Sequence, residues 1–328
     1  MRSLRIEMAL QSGAWVLPAS GDIAVYRPHI GDDLSALPMA RVVVLTGFKP
    51  DHDHFAALGY RVAAVGQFAT ALICVPRAKA QAHALLAEAC LSLRPGAVMA
   101  VDGQKTDGVE AVLKDCKGLG LELGEAVTKG HGRLATVPAD RRLLIWAAQD
   151  HLVDGFVTRP GVFSADGPDH GSVMLAQALP MDLRGRIGDL GAGWGYLSRA
   201  IMARPRVTHV DLVEAEVAAL DCACRNVPDP RAQFHWADAR SFRPEKLWSA
   251  VVMNPPFHNG READPALGLA FIRAAQKGLA PDGVLWMVAN RHLPYELVLR
   301  ELFRSVEVVQ ADGSFAVTRA AYPVRAKR

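Results

Sequence analysis

A chain of 328 residues is long enough for two domains, and a composition that is 50% hydrophobic and 22% charged excludes a disordered protein. The net charge of +3 permits a nucleic-acid partner without arguing for one. No apolar run reaches the ~18–20 residues that span a bilayer, and Glu7 interrupts the N-terminal segment before a signal-peptide core can form, so a cytoplasmic protein without a membrane partner is expected.

In chain order, the first half alternates strands and helices. Arg41–Leu45 and Thr70–Val75 read as buried strands, Lys79–Leu93 as a long helix, Ala97–Val101 as a strand after the Arg94-Pro95-Gly96 break, and Val109–Lys117 as a helix. Continuous apolar strands separated by helices imply a mainly parallel sheet covered on both faces. A helix-like stretch over Arg141–Gln149 marks the boundary, which gives domains 1–147 and 148–328. The second half repeats the plan. Strands are predicted at Gly185–Leu190, Val207–Glu214, Ala250–Met253 and Val284–Ala289, with helices at Tyr196–Ala203, Val217–Arg225 and Leu267–Leu279. Val306–Val309 and Phe315–Val317 flank Asp312-Gly313 as an antiparallel hairpin. A parallel sheet closed by an antiparallel pair is the pattern of a class I methyltransferase.

The five cysteines lack metal-type spacing: Cys74, Cys90 and Cys116 are isolated, and Cys222-Ala-Cys224 is not C-x-x-C. All five are read as reduced, small buried hydrophobes, with no metal site expected. Arg204, Arg206, Arg225, Arg231, Arg240 and Arg243 read as a solvated surface.

Asp189-Leu190-Gly191-Ala192-Gly193-Trp194-Gly195 follows a strand and opens a helix. The glycines allow backbone amides to approach a ligand, and the helix start favours a carboxylate. Its G-x-G-x-G spacing favours S-adenosylmethionine over a dinucleotide, which would require G-x-G-x-x-G. Asp189, Gly191, Ala192, Gly193 and Gly195 are therefore candidate cofactor-binding residues. Glu214 lies at the end of the next strand, where a carboxylate can accept both ribose hydroxyls. Asp211, inside that strand, reads as a packing residue. Asp238 and Ala239 sit at a further strand end, with Asp238 as candidate acceptor for the adenine amine. Trp194 is read as packing against the sheet.

Asn254-Pro255-Pro256-Phe257 follows the strand Ala250–Met253. The Asn254 side-chain oxygen and the Pro255 carbonyl can accept both N–H groups of a planar amine, Pro256 stiffens the turn, and Phe257 offers a stacking face. Such a clamp suits amine methylation, which needs placement and electrostatics rather than a strong base. These four residues are the candidate catalytic set, and Asn254 also borders the cofactor. His258 is read as a loop histidine without a catalytic role.

The chain resembles the bacterial ribosomal RNA guanine-N2 methyltransferases, in particular the methyltransferase C type that acts on the small subunit. The resemblance rests on Pro160-Gly161-Val162-Phe163-Ser164 with Asp169-His170-Gly171-Ser172, the Asp189–Gly195 turn, Asn254-Pro255-Pro256-Phe257-His258-Asn259-Gly260, Val288–Tyr295 and the terminal hairpin. It implies two tandem Rossmann-like domains, the N-terminal one degenerate and serving as RNA-positioning scaffold. It further implies that Phe163–Ser172 borders the cofactor pocket. Ribosomal RNA or a ribosomal subunit is the implied partner. In the first half, Leu45-Thr46-Gly47-Phe48-Lys49-Pro50 stands where a glycine turn would be. Gly188 replaces a bulkier apolar residue, a packing difference. Adenine-N6 methylation of nucleic acid, glutamine methylation of a protein and a non-catalytic RNA assembly factor remain the alternative readings.

Overall fold

Strands such as Val42–Leu45 and Val251–Met253 are apolar at every position because both faces of their sheets are covered, and the computed structural model buries all of these residues. It describes residues 1–94, 96–256, 258–259, 262–263 and 265–325, with the backbone alone for 258–259 and 262–263. Two compact units form, residues 1–149 and 150–328.

The first unit runs α1 (Arg2–Ser12), β1 (Ile23–Tyr26), β2 (Val42–Leu45), α2 (Lys49–Ala57), β3 (Arg61–Val62), β4 (Thr70–Cys74), α3 (Lys79–Ser92), β5 (Val98–Gln104), α4 (Val109–Gly118), β6 (Val127–Lys129) and β7 (Gly132–Pro138). Its sheet order is β3-β2-β1-β4-β5-β7-β6, parallel up to β5 and antiparallel beyond. The second unit opens on the hairpin β8 (His151–Val153) and β9 (Phe156–Thr158), followed by α5 (His170–Ala178), β10 (Arg184–Leu190), α6 (Tyr196–Met202), β11 (Arg206–Glu214), α7 (Val217–Asn226), β12 (Ala232–Trp236) and β13 (Trp248–Met253). The short pair β14 (His258–Asn259) and β15 (Glu262–Ala263) precedes α8 (Pro265–Gly278), β16 (Leu279–Asn290), α9 (Glu296–Leu302), β17 (Phe303–Ala311) and β18 (Phe315–Pro323). Its order, β12-β11-β10-β13-β16-β18-β17, is that of the first sheet strand for strand, with the hairpin antiparallel as expected. The tandem Rossmann-like α/β architecture is therefore present in both halves.

Several readings change. Arg141–Gln149 is not an α-helix: a 3-10 turn spans Arg141–Trp146, capped by Asp140, whose carboxylate accepts from the Arg142 amide at 2.8 Å. Two of the arginines read as solvated surface instead close helix and strand ends. Arg204 donates to the carbonyls of Ala176, Leu179 and Ala200, and Arg231 to those of Met202 and Val207. Cys74, Cys116 and Cys222 are buried as expected, whereas Cys90 is half-buried and Cys224 exposed.

Gly188 has a packing reason. A Cβ there would stand 2.7 Å from the Trp248 ring, and one at Gly278 would stand 2.4 Å from it. Trp248 is buried at 1% exposure, and its indole N–H donates to Asp211 at 2.7 Å. Asp211 also meets His209, His235 and Arg186, so it is the packing residue that its place in the strand indicated. Burial pushes its carboxyl up, but the bonds from His235, Trp248 and His209 outweigh that and hold it below the usual range. Overpacking in a full core costs about 1–3 kcal/mol. Gly188→Ala is expected to lower stability by about that amount in chemical denaturation, with an unchanged m-value; wild-type stability would show that the ring has room to move.

Candidate active site

The chain leaves β10 at Leu190 and reverses through Gly191–Gly195 into α6. Gly191, Gly193 and Gly195 take φ of 75°, 55° and 90°, a region that side chains disfavour. A Cβ at Gly193 would meet nothing within 4 Å, so this glycine leaves bare backbone at the wall of a cleft. The turn's own amides are engaged internally. Gly191 and Ala192 donate to the Val213 carbonyl, Gly195 to that of Ala192, and Gly193 to the Glu214 carboxylate at 2.7 Å. The expected cradle of ligand-facing amides is thus not what these four provide; they give shape and orient Glu214. The other Glu214 oxygen accepts from the Glu216 amide at 2.8 Å, and lone pairs on both oxygens remain for ligand hydroxyls. Burial raises its pKa against the pull of these backbone bonds.

Asp189 lies just behind the turn and is fully buried. Its Oδ2 accepts from the Ser198 hydroxyl at 2.6 Å, while Oδ1 has no partner. Burial, with a smaller push from the negative charge of Glu214, raises its pKa to about 7. An orphaned, desolvated carboxylate oxygen beside an open glycine turn fits a cationic ligand group.

Asn254 follows β13, on the other side of the same cleft. The cleft is lined by Phe163, Asp169, Ser172, Gly191–Trp194 and Asn254, among others. The Asn254 side-chain N–H groups donate to Asp169 Oδ2 and to Ser172 Oγ, each at 2.9 Å. Asp169 also caps α5 by accepting from the Ser172 amide at 2.9 Å. Asp169 Oδ2 thus serves both the start of α5 and the clamp residue, while Ser172 sits in the first turn of that helix. Pro255 is buried and Pro256 exposed. Phe257 lies outside the described residues, as does the side chain of His258.

Other candidates fall differently. Asp238 does not line the cleft; both its oxygens meet the Arg240 guanidinium and one takes the Arg240 amide, which leaves little lone-pair capacity for an adenine amine. Ala239 is buried in the core behind Trp248. Trp194 packs on Phe156, Val162 and Ala219 rather than on the sheet, and its indole N–H donates to the Phe163 carbonyl at 2.9 Å. This bond holds the 160s loop at the cleft, with the Phe163 ring 63% exposed. Asn226 was not foreseen. Its side chain bonds both polar backbone atoms of Val157 and the Trp194 carbonyl, joining the β8–β9 hairpin to the glycine turn. No periodicity signals such a residue.

The first unit shows what its equivalent strand ends hold. The Arg27 amide donates to the Leu45 carbonyl as the Gly191 amide donates to Val213, which aligns the two sheets. Arg27, with φ of 51°, therefore stands where Gly191 does. Leu45–Pro50, expected in place of the glycine turn, instead occupies the Glu214 strand end, because β1 lies one strand earlier than the sequence suggested. Thr46 takes the Glu214 position: its hydroxyl accepts from the Phe48 amide at 3.3 Å, as Glu214 accepts from Glu216. Carrying the register across β1 and β4 puts Cys74 at the Asn254 position. Burial pushes the Cys74 thiol up to about 12. Arg5 and Asp102 fill the neighbouring space with a buried ion pair, one bond of which is 2.9 Å. Neither ribose acceptor nor amide clamp survives there.

Fold and cleft define a class I methyltransferase architecture, with the glycine turn, Glu214 and Asn254 on the second sheet. A family model described as methyltransferase small domain matches residues 154–319. Ribosomal RNA small subunit methyltransferase C of Salmonella gallinarum (strain 287/91 / NCTC 13346) is 31% identical over 246 residues, covering 73% of this chain and 71% of the relative, and the Salmonella typhimurium (strain LT2) protein gives the same values. Among solved structures, a T. thermophilus 16S rRNA N2 G1207 methyltransferase in complex with AdoMet and guanosine shares the fold, with a TM-score of 0.79 and 24% identity over 98% of this chain and 91% of that one. The chain belongs to the small-subunit methyltransferase C family of methyltransferase small domain proteins.

Asp189 makes stability depend on pH. Its folded pKa of about 7 lies above the ordinary carboxyl value of 3.8, so stability falls as pH rises through that window and the penalty is complete above 7. The penalty is at most about 4 kcal/mol. In Asp189→Asn the loss of stability between pH 4 and pH 8 is expected to shrink by a few kcal/mol at most, measured by urea unfolding at both pH values. An undiminished pH dependence would assign the penalty elsewhere.

Proposed function

We propose that the protein transfers a methyl group from S-adenosylmethionine to the exocyclic N2 amine of a guanine in small-subunit ribosomal RNA. The observation that carries this reading is the Asn254 amide at the wall of the glycine-lined cleft: its side-chain nitrogen donates to Asp169 and Ser172, which leaves the carbonyl oxygen as the group it has to offer a ligand amine. Membership of the small-subunit methyltransferase C family supports the substrate class.

When bound, S-adenosylmethionine supplies a methyl group on a positively charged sulfur. The residues present fit it: Glu214 keeps lone pairs for the ribose hydroxyls, the unpartnered Asp189 oxygen behind the turn suits the ammonium end, and Gly193 leaves bare backbone at the wall. A guanine N2 is a weak nucleophile because its lone pair is delocalised into the ring. Asn254 Oδ1 and the Pro255 carbonyl would accept its two N–H groups, pyramidalise the nitrogen and direct the lone pair at the electrophile. Placement at about 3–3.5 Å and preorganised acceptors supply the acceleration, and the proton leaves after transfer without a dedicated base. Pro256 stiffens this turn, and Phe257 is proposed as the stacking face. Asp238 and Ala239 are left out of the donor site, because Arg240 occupies both Asp238 oxygens and Ala239 is buried in the core. The first unit, with Arg27, Thr46 and Cys74 at the corresponding positions, is proposed as the RNA-positioning scaffold. Among the described residues no helix is long and apolar enough to cross a membrane, and no cluster of metal-ligating side chains occurs.

Ribosomal RNA from cells lacking the protein, incubated with enzyme and donor, is expected to yield N2-methylguanosine by nucleoside mass spectrometry. Methylation at adenine N6, or none, would overturn the assignment. Asn254→Ala should keep donor affinity in calorimetry within about threefold and lose about 10²–10³-fold in kcat, the scale of removing one preorganised transition-state group. Retained turnover would remove the amide from the mechanism.

A further inference from the structure

We propose that Asp169 is a positioning residue that fixes which end of the Asn254 amide faces the substrate, and so makes the site select an amino edge rather than a carbonyl edge. This rests on the reading of Asn254 as amine acceptor and adds the device that enforces it.

The two ends of an asparagine amide are nearly isosteric, so shape alone does not choose between them. Hydrogen bonding does. A carboxylate only accepts, and Asp169 Oδ2 lies 2.9 Å from Asn254 Nδ2; a flipped amide would set oxygen against oxygen at that distance, whereas the Ser172 hydroxyl, which donates as well as accepts, can bond either end of the amide and leaves the choice to Asp169. Bonds to a carboxylate are of the stronger kind, and Ser172 is 8% exposed, so water does not replace that partner cheaply. Asp169 is itself held in place. As N-cap of α5 it accepts from the Ser172 amide through the same Oδ2, and a Cβ added at Gly171 would stand only 3.1 Å from that oxygen. One carboxylate oxygen thus ties a helix start to the strand end that carries the clamp, 85 residues away in sequence. With the amide so fixed, the cleft is offered an acceptor. It suits an N–H donor and disfavours a ring carbonyl such as guanine O6, which would meet oxygen with oxygen.

Asp169→Ser separates this from simple capping, since serine caps a helix as well as aspartate but is one atom too short to reach Asn254. The expected result is a melting temperature near wild type, unchanged donor affinity and KM for donor, and kcat lowered about 10–100-fold, the scale of one or two lost orienting bonds. Asp169→Asn, which keeps an acceptor oxygen, should recover most of that loss. Placed on Asn254→Ala, Asp169→Ser should add no further loss. An amide readout needs no substrate: the Asn254 side-chain N–H₂ signals in nitrogen-15 NMR should be protected from exchange in wild type and in Asp169→Asn, and lose protection in Asp169→Ser. Wild-type kcat in Asp169→Ser, additive losses in the double variant, or unchanged protection would each overturn the proposal. A wild-type enzyme that forms no N2-methylguanosine while the NMR pattern appears would instead overturn the substrate reading and leave the positioning role standing.

Discussion

A carboxylate that can only accept holds an amide that could otherwise face either way. The Asp169–Asn254 bond is the constraint on which the chemistry of this cleft depends, because it decides whether the strand end offers an oxygen or an N–H group to whatever enters. Everything nearby serves that choice. The start of α5 fixes Asp169, the end of β13 fixes Asn254, and Trp194 pins the loop that closes the side of the cleft.

The two sheets show how little of a fold a site requires. Strand order and the turn-closing hydrogen bond after the first central strand are the same in both units, yet only one has the glycine turn, the strand-end glutamate and the asparagine. In the other, Arg27, Thr46 and Cys74 occupy the positions of Gly191, Glu214 and Asn254, and Arg5 with Asp102 forms a buried ion pair alongside. Such a pair adds little to stability, since desolvation offsets the attraction.

Much of this was legible in the sequence. Long apolar strands and the G-x-G-x-G turn announce themselves by composition, and Asn254-Pro255-Pro256 by its residue types. What was not legible depends on distance in sequence. β1 has four residues, and its oversight shifted Leu45–Pro50 onto the wrong strand end. The 3-10 turn at Arg141–Trp146 has helical periodicity for too few residues to distinguish it from an α-helix. Arg204 and Arg231 look like surface charges until the helix ends they close are known. Asp169 could be read as a cap but not as the partner of a residue 85 positions on, and the engagement of the glycine turn's amides by Val213 and Glu214 has no trace in spacing.

The most direct measurement is a crystal structure of the protein with S-adenosylhomocysteine and guanosine. The guanine N2 should lie about 3 Å from Asn254 Oδ1, with Asn254 Nδ2 still on Asp169 and the sulfur on the opposite side of that nitrogen. A base whose carbonyl, rather than its amine, meets Asn254, or one seated away from this strand end, would contradict the whole scheme.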